Sequence, residues 1–118
     1  MTDLVREKCV ACRVDSLCVT DDEIALLYPA VSNWSIINEN DIRKLQRVFT
    51  FRNFVQSMAF TNQVADLSEE EGHHPRLLME WGRVVVTWWT HKIRDLHRND
   101  FVMAAKTDQL NDANGCNR

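Results

Sequence analysis

The sequence predicts an α+β fold, in which a four-stranded antiparallel sheet carries three helices on one face in the order α-β-β-α-β-β-α. Three segments have hydrophobic residues at helical spacing, and two pairs of short β-branched or aromatic runs lie between them. The runs of each pair are separated by only a short connection, so we expect two antiparallel hairpins.

The first helix is predicted to follow a capping box. The side chain of Thr20 can accept from the third helical N–H, while Glu23 reaches back to the backbone of the cap. Ile24 and Leu27 then mark an apolar face, and Pro29 limits the length of regular helix. We therefore expect a short helix.

The first hairpin is predicted from two runs with turn residues between them. The runs cover residues 34–37 and 45–51, and the turn sequence NENDI covers 38–42. One face of the second strand is apolar apart from Arg47, and its members are Leu45, Phe49 and Phe51.

The second helix is predicted to be long and amphipathic. It begins near Asn53 and ends around 69–71, because Gly72 is a natural stop signal. Its predicted apolar stripe consists of Phe54, Met58, Thr61 and Ala65, widened by Val55, Ala59, Phe60, Val64 and Leu67.

The second hairpin and the last helix complete the fold. Residues 83–91 are the clearest strand, with residues 77–81 as the partner. Alternation places Val84, Val86, Trp88 and Thr90 on one side, and Arg83, Val85, Thr87, Trp89 and His91 on the other. His97 or Asn99 is the expected cap of a final helix whose apolar residues are Phe101, Val102, Ala105 and Leu110.

The length of 118 residues predicts one domain, which we place at 20–112. Residues 1–19 show no sustained periodicity and are expected to form a mobile or loosely docked arm, and 113–118 form a polar tail. The net charge of −3 argues against binding to a nucleic-acid backbone. No apolar run approaches the roughly 20 residues of a membrane span, and we see no secretory signal. We therefore expect a cytoplasmic protein with no membrane partner.

The four cysteines carry a weak signal. Cys9 and Cys12 form a CxxC motif, Cys18 follows, and Cys116 lies in the tail. A structural zinc site requires a second ligand pair, which is missing, and a redox motif requires a preceding strand. We favour a reduced thiol pair without a built-in role.

The adjacent residues His73 and His74 allow three interpretations. Neighbours on extended backbone, which Pro75 favours, point to opposite sides, so a shared metal is disfavoured. They could simply follow the end of the long helix, where histidine suits the helix dipole. They could also be acid/base groups, because imidazole gains and loses protons near neutral pH.

Other residues favour the acid/base interpretation. His91 ends the clearest strand, and Glu69 precedes His73 by about one helical turn, where it can orient a ring or bind a polar edge of a ligand. Asp100, early in the last helix, could hold His91 in one tautomer, although an acid is also favoured there by the helix dipole. The chain has no glycine-rich phosphate loop and no serine nucleophile motif, so the chemistry expected is proton transfer without a covalent intermediate.

These residues resemble the signature of the pterin-4α-carbinolamine dehydratases. The matching features are E-x3-HHP over 69–75, an aromatic residue at Trp81, the pair Thr90-His91, and Asp100. Further parts of that family are similar to Trp34, to the stretch from Val48 to Ala65, and to the sequence HRNDFVMAAKTD. The resemblance covers roughly residues 20–110 in one register.

The resemblance implies an activity and an assembly. The activity is dehydration of 4a-hydroxytetrahydropterin to quinonoid dihydropterin, which recycles the cofactor of phenylalanine hydroxylase. The implied fold is again four antiparallel strands with three helices, in homodimers or homotetramers. No metal or organic cofactor is implied.

The resemblance also implies residue roles. His73 and His91 would share the acid/base work, and His74 would position the 4a-hydroxyl. Residues expected to bind or orient the substrate are Glu69, Pro75, Trp89, Thr90 and Asp100, the last of them acting on His91. The alternative, known from other members, is a non-catalytic partner that stabilises a hydroxylase or a transcription factor. The three intact histidines favour the enzyme.

Overall fold

The four strands come from two hairpins that join side by side. The computed structural model describes residues 3–10 and 16–114. In the sheet order β1-β2-β4-β3 every neighbouring pair is antiparallel. The elements are α1 (Asp21–Leu27), β1 (Ser35–Glu39), β2 (Ile42–Thr50), α2 (Phe54–Glu71), β3 (Arg76–Glu80), β4 (Arg83–Trp88) and α3 (Arg98–Asn114). The predicted fold class and element order are confirmed.

Local signals explain where several of these elements begin. Both halves of the predicted capping box are formed at α1, and the Asn53 side chain caps α2 by accepting from Gln56 N–H. Between β1 and β2, Asn40 and Asp41 both have positive φ, of 54° and 65°. A two-residue turn of this kind matches the twist of the strands it joins.

The core lies between one face of the sheet and the helices. The sheet supplies Leu45, Phe49, Val84, Val86 and Trp88, and the helices supply Phe60, Val64, Phe101 and Met103, all at most 2% exposed. On the opposite face, Val48 and Leu78 are 44% and 56% exposed. The helices therefore cover one face, as predicted.

The predicted apolar stripe of α2 is partly wrong. Phe60 and Val64 are buried, but Phe54, Val55 and Met58 are exposed, and Ala65 is exposed as well. Two serines occupy the buried face in their place. Ser57 Oγ donates to Trp81 O, and Ser68 Oγ donates to Val64 O. Since backbone oxygens satisfy both hydroxyls, the serines are buried at little cost and the buried face is rotated around the helix.

The described part of the arm is docked more firmly than predicted. Leu4 and Val19 are 1% and 5% exposed and belong to the core. Glu7 pairs with Arg98 at 2.7 Å, and Lys106 Nζ donates to Val5 O. The arm is held because its apolar residues find space beside α3, which sequence periodicity does not reveal. Cys12 and Cys116 lie outside the described residues.

Several boundaries also differ from the prediction. β1 ends at Glu39 and β2 begins at Ile42, so only two residues of the predicted 38–42 turn lie between the strands. β4 ends at Trp88, and Thr90 makes only an isolated bridge with Asp95. α3 runs to Asn114 and so includes the first residues of the predicted tail. Within the described ranges, no helix combines the length and apolar character needed to cross a bilayer.

Candidate active site

The turn after α2 determines which way the two adjacent histidines face. Gly72 adopts the left-handed conformation with φ of 66°, and its N–H donates to Ser68 O. The N–H of His73 donates to the same carbonyl at 3.1 Å. The helix therefore ends abruptly, with His73 buried and His74 exposed.

Replacing Gly72 with Ala should lower the free energy of unfolding by about 1 kcal/mol. A Cβ built at this position has no atom within 4 Å, so the cost comes from the positive φ and not from a clash. Urea denaturation measures it. Gly72→Asn is the matched control and should lose less, because asparagine tolerates this conformation. Equal stability of the wild type and the alanine variant would contradict the argument.

His73 is held on two sides. It is 7% exposed, and its ring stacks on the indole of Trp88 with centroids 5.7 Å apart and planes 7° from parallel. Its Nε2 lies 2.7 Å from Asp100 Oδ1. With the carboxylate oxygen as the acceptor, Nε2 is the donor in this pair.

Asp100 joins several elements through one fully buried carboxylate. Besides Oδ1 on His73, its Oδ2 accepts from the Thr90 hydroxyl and from the backbone N–H of His97, each at 2.8 Å. Sequence reasoning expected Asp100 to orient His91, and this is corrected: the carboxylate binds His73. Beyond β4, Thr90 is buried with its hydroxyl on Asp100, while the next residue, His91, is exposed.

His74 and Glu69 form an exposed pair beside the buried one. His74 Nε2 donates to Glu69 Oε2, with the side chains 59% and 79% exposed. Such an exposed pair contributes little to stability. Pro75 follows directly and leads into β3. The spacing suggested His73, four residues after Glu69, as the ring within reach, but the structure pairs Glu69 with His74 instead.

His91 contacts Trp89 on the open face of the sheet. The two ring centroids are 4.4 Å apart. Two cations also lie over the indole of Trp89, with Lys44 Nζ 3.9 Å and Arg76 Cζ 5.5 Å from the ring centroid. Both cations also bond Glu39, and the Arg76 and Lys44 hydrogen bonds lower the pKa of Glu39 to about 2.

A cavity of about 170 Å³ brings the three motif histidines together. Its lining consists of Gly72, His73, His74, Thr90, His91 and Lys92. Sequence reasoning missed Lys92, which directly follows His91, and the stacking role of Trp88, which alternation had assigned only to the core. A larger groove of about 430 Å³ lies between α1 and β1, but its lining contains no histidine. We therefore place the candidate site at the smaller cavity.

The donor set at this cavity suits proton transfer. His73 and His74 are bonded to carboxylates that orient their rings. His74 and His91 are exposed, whereas His73 is buried. Across residues 3–10 and 16–114, no three His, Cys, Asp or Glu side chains are arranged to hold a metal ion.

Comparison with known proteins identifies the family. The model of the family described as pterin 4 alpha carbinolamine dehydratase matches residues 18–110. A curated protein of Marinobacter nauticus named for the same dehydratase is 56% identical over 110 residues, which span 93% of this chain and 99% of that protein.

Two solved structures have a similar fold. A protein of Brucella melitensis described as a transcriptional coactivator/pterin dehydratase has a TM-score of 0.71 at 26% identity, over 80% of this chain and 98% of its own. A pterin dehydratase-like protein described as a RuBisCO assembly factor of the alpha-carboxysome has a TM-score of 0.54 at 27% identity, over 64% and 88% of the two chains. The resemblance noted in the sequence is confirmed by the family model, the curated relative and the fold alike. The chain belongs to the pterin-4-alpha-carbinolamine dehydratase family, a family of hydro-lyases.

Proposed function

We propose that this chain dehydrates 4a-hydroxytetrahydropterin to quinonoid dihydropterin by histidine acid/base catalysis. One observation carries the proposal: three imidazoles line one cavity, and Nε2 of the buried one lies 2.7 Å from Asp100 Oδ1. The family membership supports the same reaction.

The reaction requires two proton transfers. The C4a–O bond breaks and its electrons leave with the hydroxyl, which an acid must protonate so that water departs. A base takes the proton from N5, and the N5 electrons form the new C4a–N5 double bond. Positioned side chains contribute roughly 10²–10⁴-fold to such transfers.

His73 is suited to be the base. Its Nε2–H is held by Asp100, so the lone pair lies on Nδ1. Among the described residues Nδ1 has no hydrogen-bond partner, and the residue lines the cavity. Asp100 also stabilises the imidazolium that forms when Nδ1 accepts a proton, as a buried carboxylate does in other histidine sites.

His91 is suited to be the acid, and His74 to position the 4a-hydroxyl. His91 lines the cavity three residues beyond the end of β4 and is open to solvent that can return its proton. His74, which bonds Glu69, lines the same cavity. The cavity is smaller than the roughly 300–1,000 Å³ of ordinary ligand pockets. The pterin side chain would therefore extend outside it, toward the open sheet face near Trp89.

His91→Ala should lower kcat by about 100-fold while leaving the midpoint of thermal unfolding unchanged. His91 is exposed, so its removal opens no core cavity. The measurement is the rate of dehydration of 4a-hydroxytetrahydropterin that is generated in the assay mixture and followed as it forms. His74→Ala is the matched control on the same cavity and should change KM more than kcat. Wild-type turnover in His91→Ala would remove this residue from the mechanism.

We further propose that the reaction recycles pterin for phenylalanine hydroxylase and that the chain acts as a homodimer or homotetramer. β1 and β3 are both edge strands, and pairing of one edge with a second copy would satisfy its open backbone groups. Analytical ultracentrifugation measures the number of copies in the assembly. An assay coupled to phenylalanine hydroxylase tests whether the chain returns the oxidised pterin to the hydroxylation reaction.

A non-catalytic binding role is the second candidate, because one structural relative is described as an assembly factor. Tight binding to a hydroxylase without any turnover would favour it. Turnover that depends on His73 and His91 would favour the enzyme.

A further inference from the structure

The imidazole of His97 caps α3 by accepting a hydrogen bond. Its Nδ1 accepts from the backbone N–H of Asn99 at 3.0 Å. In return, the backbone N–H of His97 donates to the side chain of Asp100. This resembles the capping box of Thr20 and Glu23 at α1. At α3 the imidazole accepts from the second helical residue, Asn99, and the carboxylate belongs to the third, Asp100.

The same carboxylate connects this cap to the cavity. Asp100 Oδ2 accepts from His97 N–H, while Oδ1 accepts from the ring of His73. We propose that His97 is a positioning residue for the dehydration, whose neutral ring caps α3 and thereby holds Asp100 in place against His73. The proposal rests on the proposed function, since it concerns the base of that reaction.

The cap requires the neutral ring, because a proton on Nδ1 would remove the acceptor and add a positive charge at a helix N-terminus. Burial lowers the pKa of His97 below the ordinary histidine value. The charged groups that act on it are Asp100 in α3 and Glu23 in α1, which favour the protonated ring, and His73, which opposes it. A histidine whose pKa is lowered by folding stabilises the folded state at pH values above its ordinary pKa. This stabilisation is lost as the pH falls through the lowered, folded-state pKa.

Three variants test the role. In His97→Ala the cap is lost and kcat should fall about tenfold, as for other residues that orient a catalytic group. In His97→Asn the amide Oδ1 lies as many bonds from Cα as Nδ1 does, so it restores the cap and most of the activity. Thr20→Ala is the matched control, because it removes the capping box of α1, which has no bond to the cavity. It should keep wild-type kcat.

The pH profile separates positioning from simple support of the fold. In the wild type, protonation of His97 and of the base both reduce kcat/KM toward acid pH. In His97→Asn the residue that caps α3 does not titrate. The fall of kcat/KM toward acid pH should therefore be less steep than in the wild type and should begin at a lower pH. An acid limb identical to that of the wild type would overturn the proposal, as would equal loss of activity in His97→Asn and His97→Ala.

A spectroscopic measurement makes the test independent of turnover. The hydrogen bond to Asp100 protects the His73 Nε2–H from exchange with solvent. Its proton NMR signal should therefore be present in the wild type, in Thr20→Ala and in His97→Asn. It should broaden or disappear in His97→Ala. Retention of this signal in a folded His97→Ala protein overturns the positioning role. If the wild type does not turn over but the signal follows this pattern, the proposed function fails and the link from His97 to His73 stands.

Discussion

Replacing His73 with Gln is expected to lower kcat by about 10²–10⁴-fold while the protein remains folded. The Gln side chain can place an N–H where Nε2 lies, so Asp100 keeps a donor. It has no group that accepts a proton near neutral pH, so the base is lost. The measurement is dehydration under single-turnover conditions, which isolates the chemical step.

Two further variants control for burial. His73→Ala should lose activity to the same degree but should also lose stability, because it leaves the buried carboxylate without one donor and a void against Trp88. Trp88→Phe keeps an aromatic face under the ring and should retain most of the turnover. If His73→Gln were as active as the wild type, His73 would be a structural histidine and the base would have to be sought elsewhere in the cavity.

Replacing Asp100 with Ala is expected to lower the free energy of unfolding by about 3 kcal/mol. The substitution leaves three buried or half-buried donors without their acceptor: the ring of His73, the Thr90 hydroxyl and the His97 N–H. Urea denaturation of the purified variant measures the loss. Turnover should fall as well, since the ring of His73 is no longer held in one tautomer.

Asp100→Asn separates the structural effect from the chemical one. The amide oxygen can still accept from Thr90 and His97, so the stability loss should be smaller than in the alanine variant. If the amide nitrogen faces His73 it donates to Nε2, which moves the ring proton to Nδ1 and removes the lone pair needed by the base. We expect kcat to fall by roughly 10²–10⁴-fold. An asparagine variant with wild-type kcat would show that the tautomer of His73 does not matter.

The elements were predictable from the sequence because their signals are local. Each of these signals depends on neighbours within about one turn. They are the capping box at Thr20, the change of hydrophobic period at Asn53 and the stop at Gly72, and the structure has a helix end at each of them. The buried face of α2 was predicted less well. Ser57 is buried because its hydroxyl finds a carbonyl 24 residues away, and no local pattern contains that information.

The partners within the site required the fold. Sequence spacing paired Asp100 with His91, which is nearer along the chain than His73. The structure pairs it with His73, 27 residues away, and the residue near the end of β4 that reaches Asp100 is Thr90, while His91 is exposed. The three histidines and Thr90 were predicted from residue type and resemblance, whereas Lys92 was not. A hydrogen-bond partner depends on tertiary packing, which the sequence does not display. The burial of Leu4 in the core also depends on tertiary packing, so the sequence pattern did not predict it.

Because Asp100 lies in the first turn of α3, the start of this helix and the candidate site share one carboxylate. Starting a helix is its costly step, and here that step uses the carboxylate that also binds His73. A molecule in which the first turn of α3 has frayed has therefore also lost the group that orients His73. With His73 as the proposed base, we expect local opening at this turn to remove the orientation of the base in the same event.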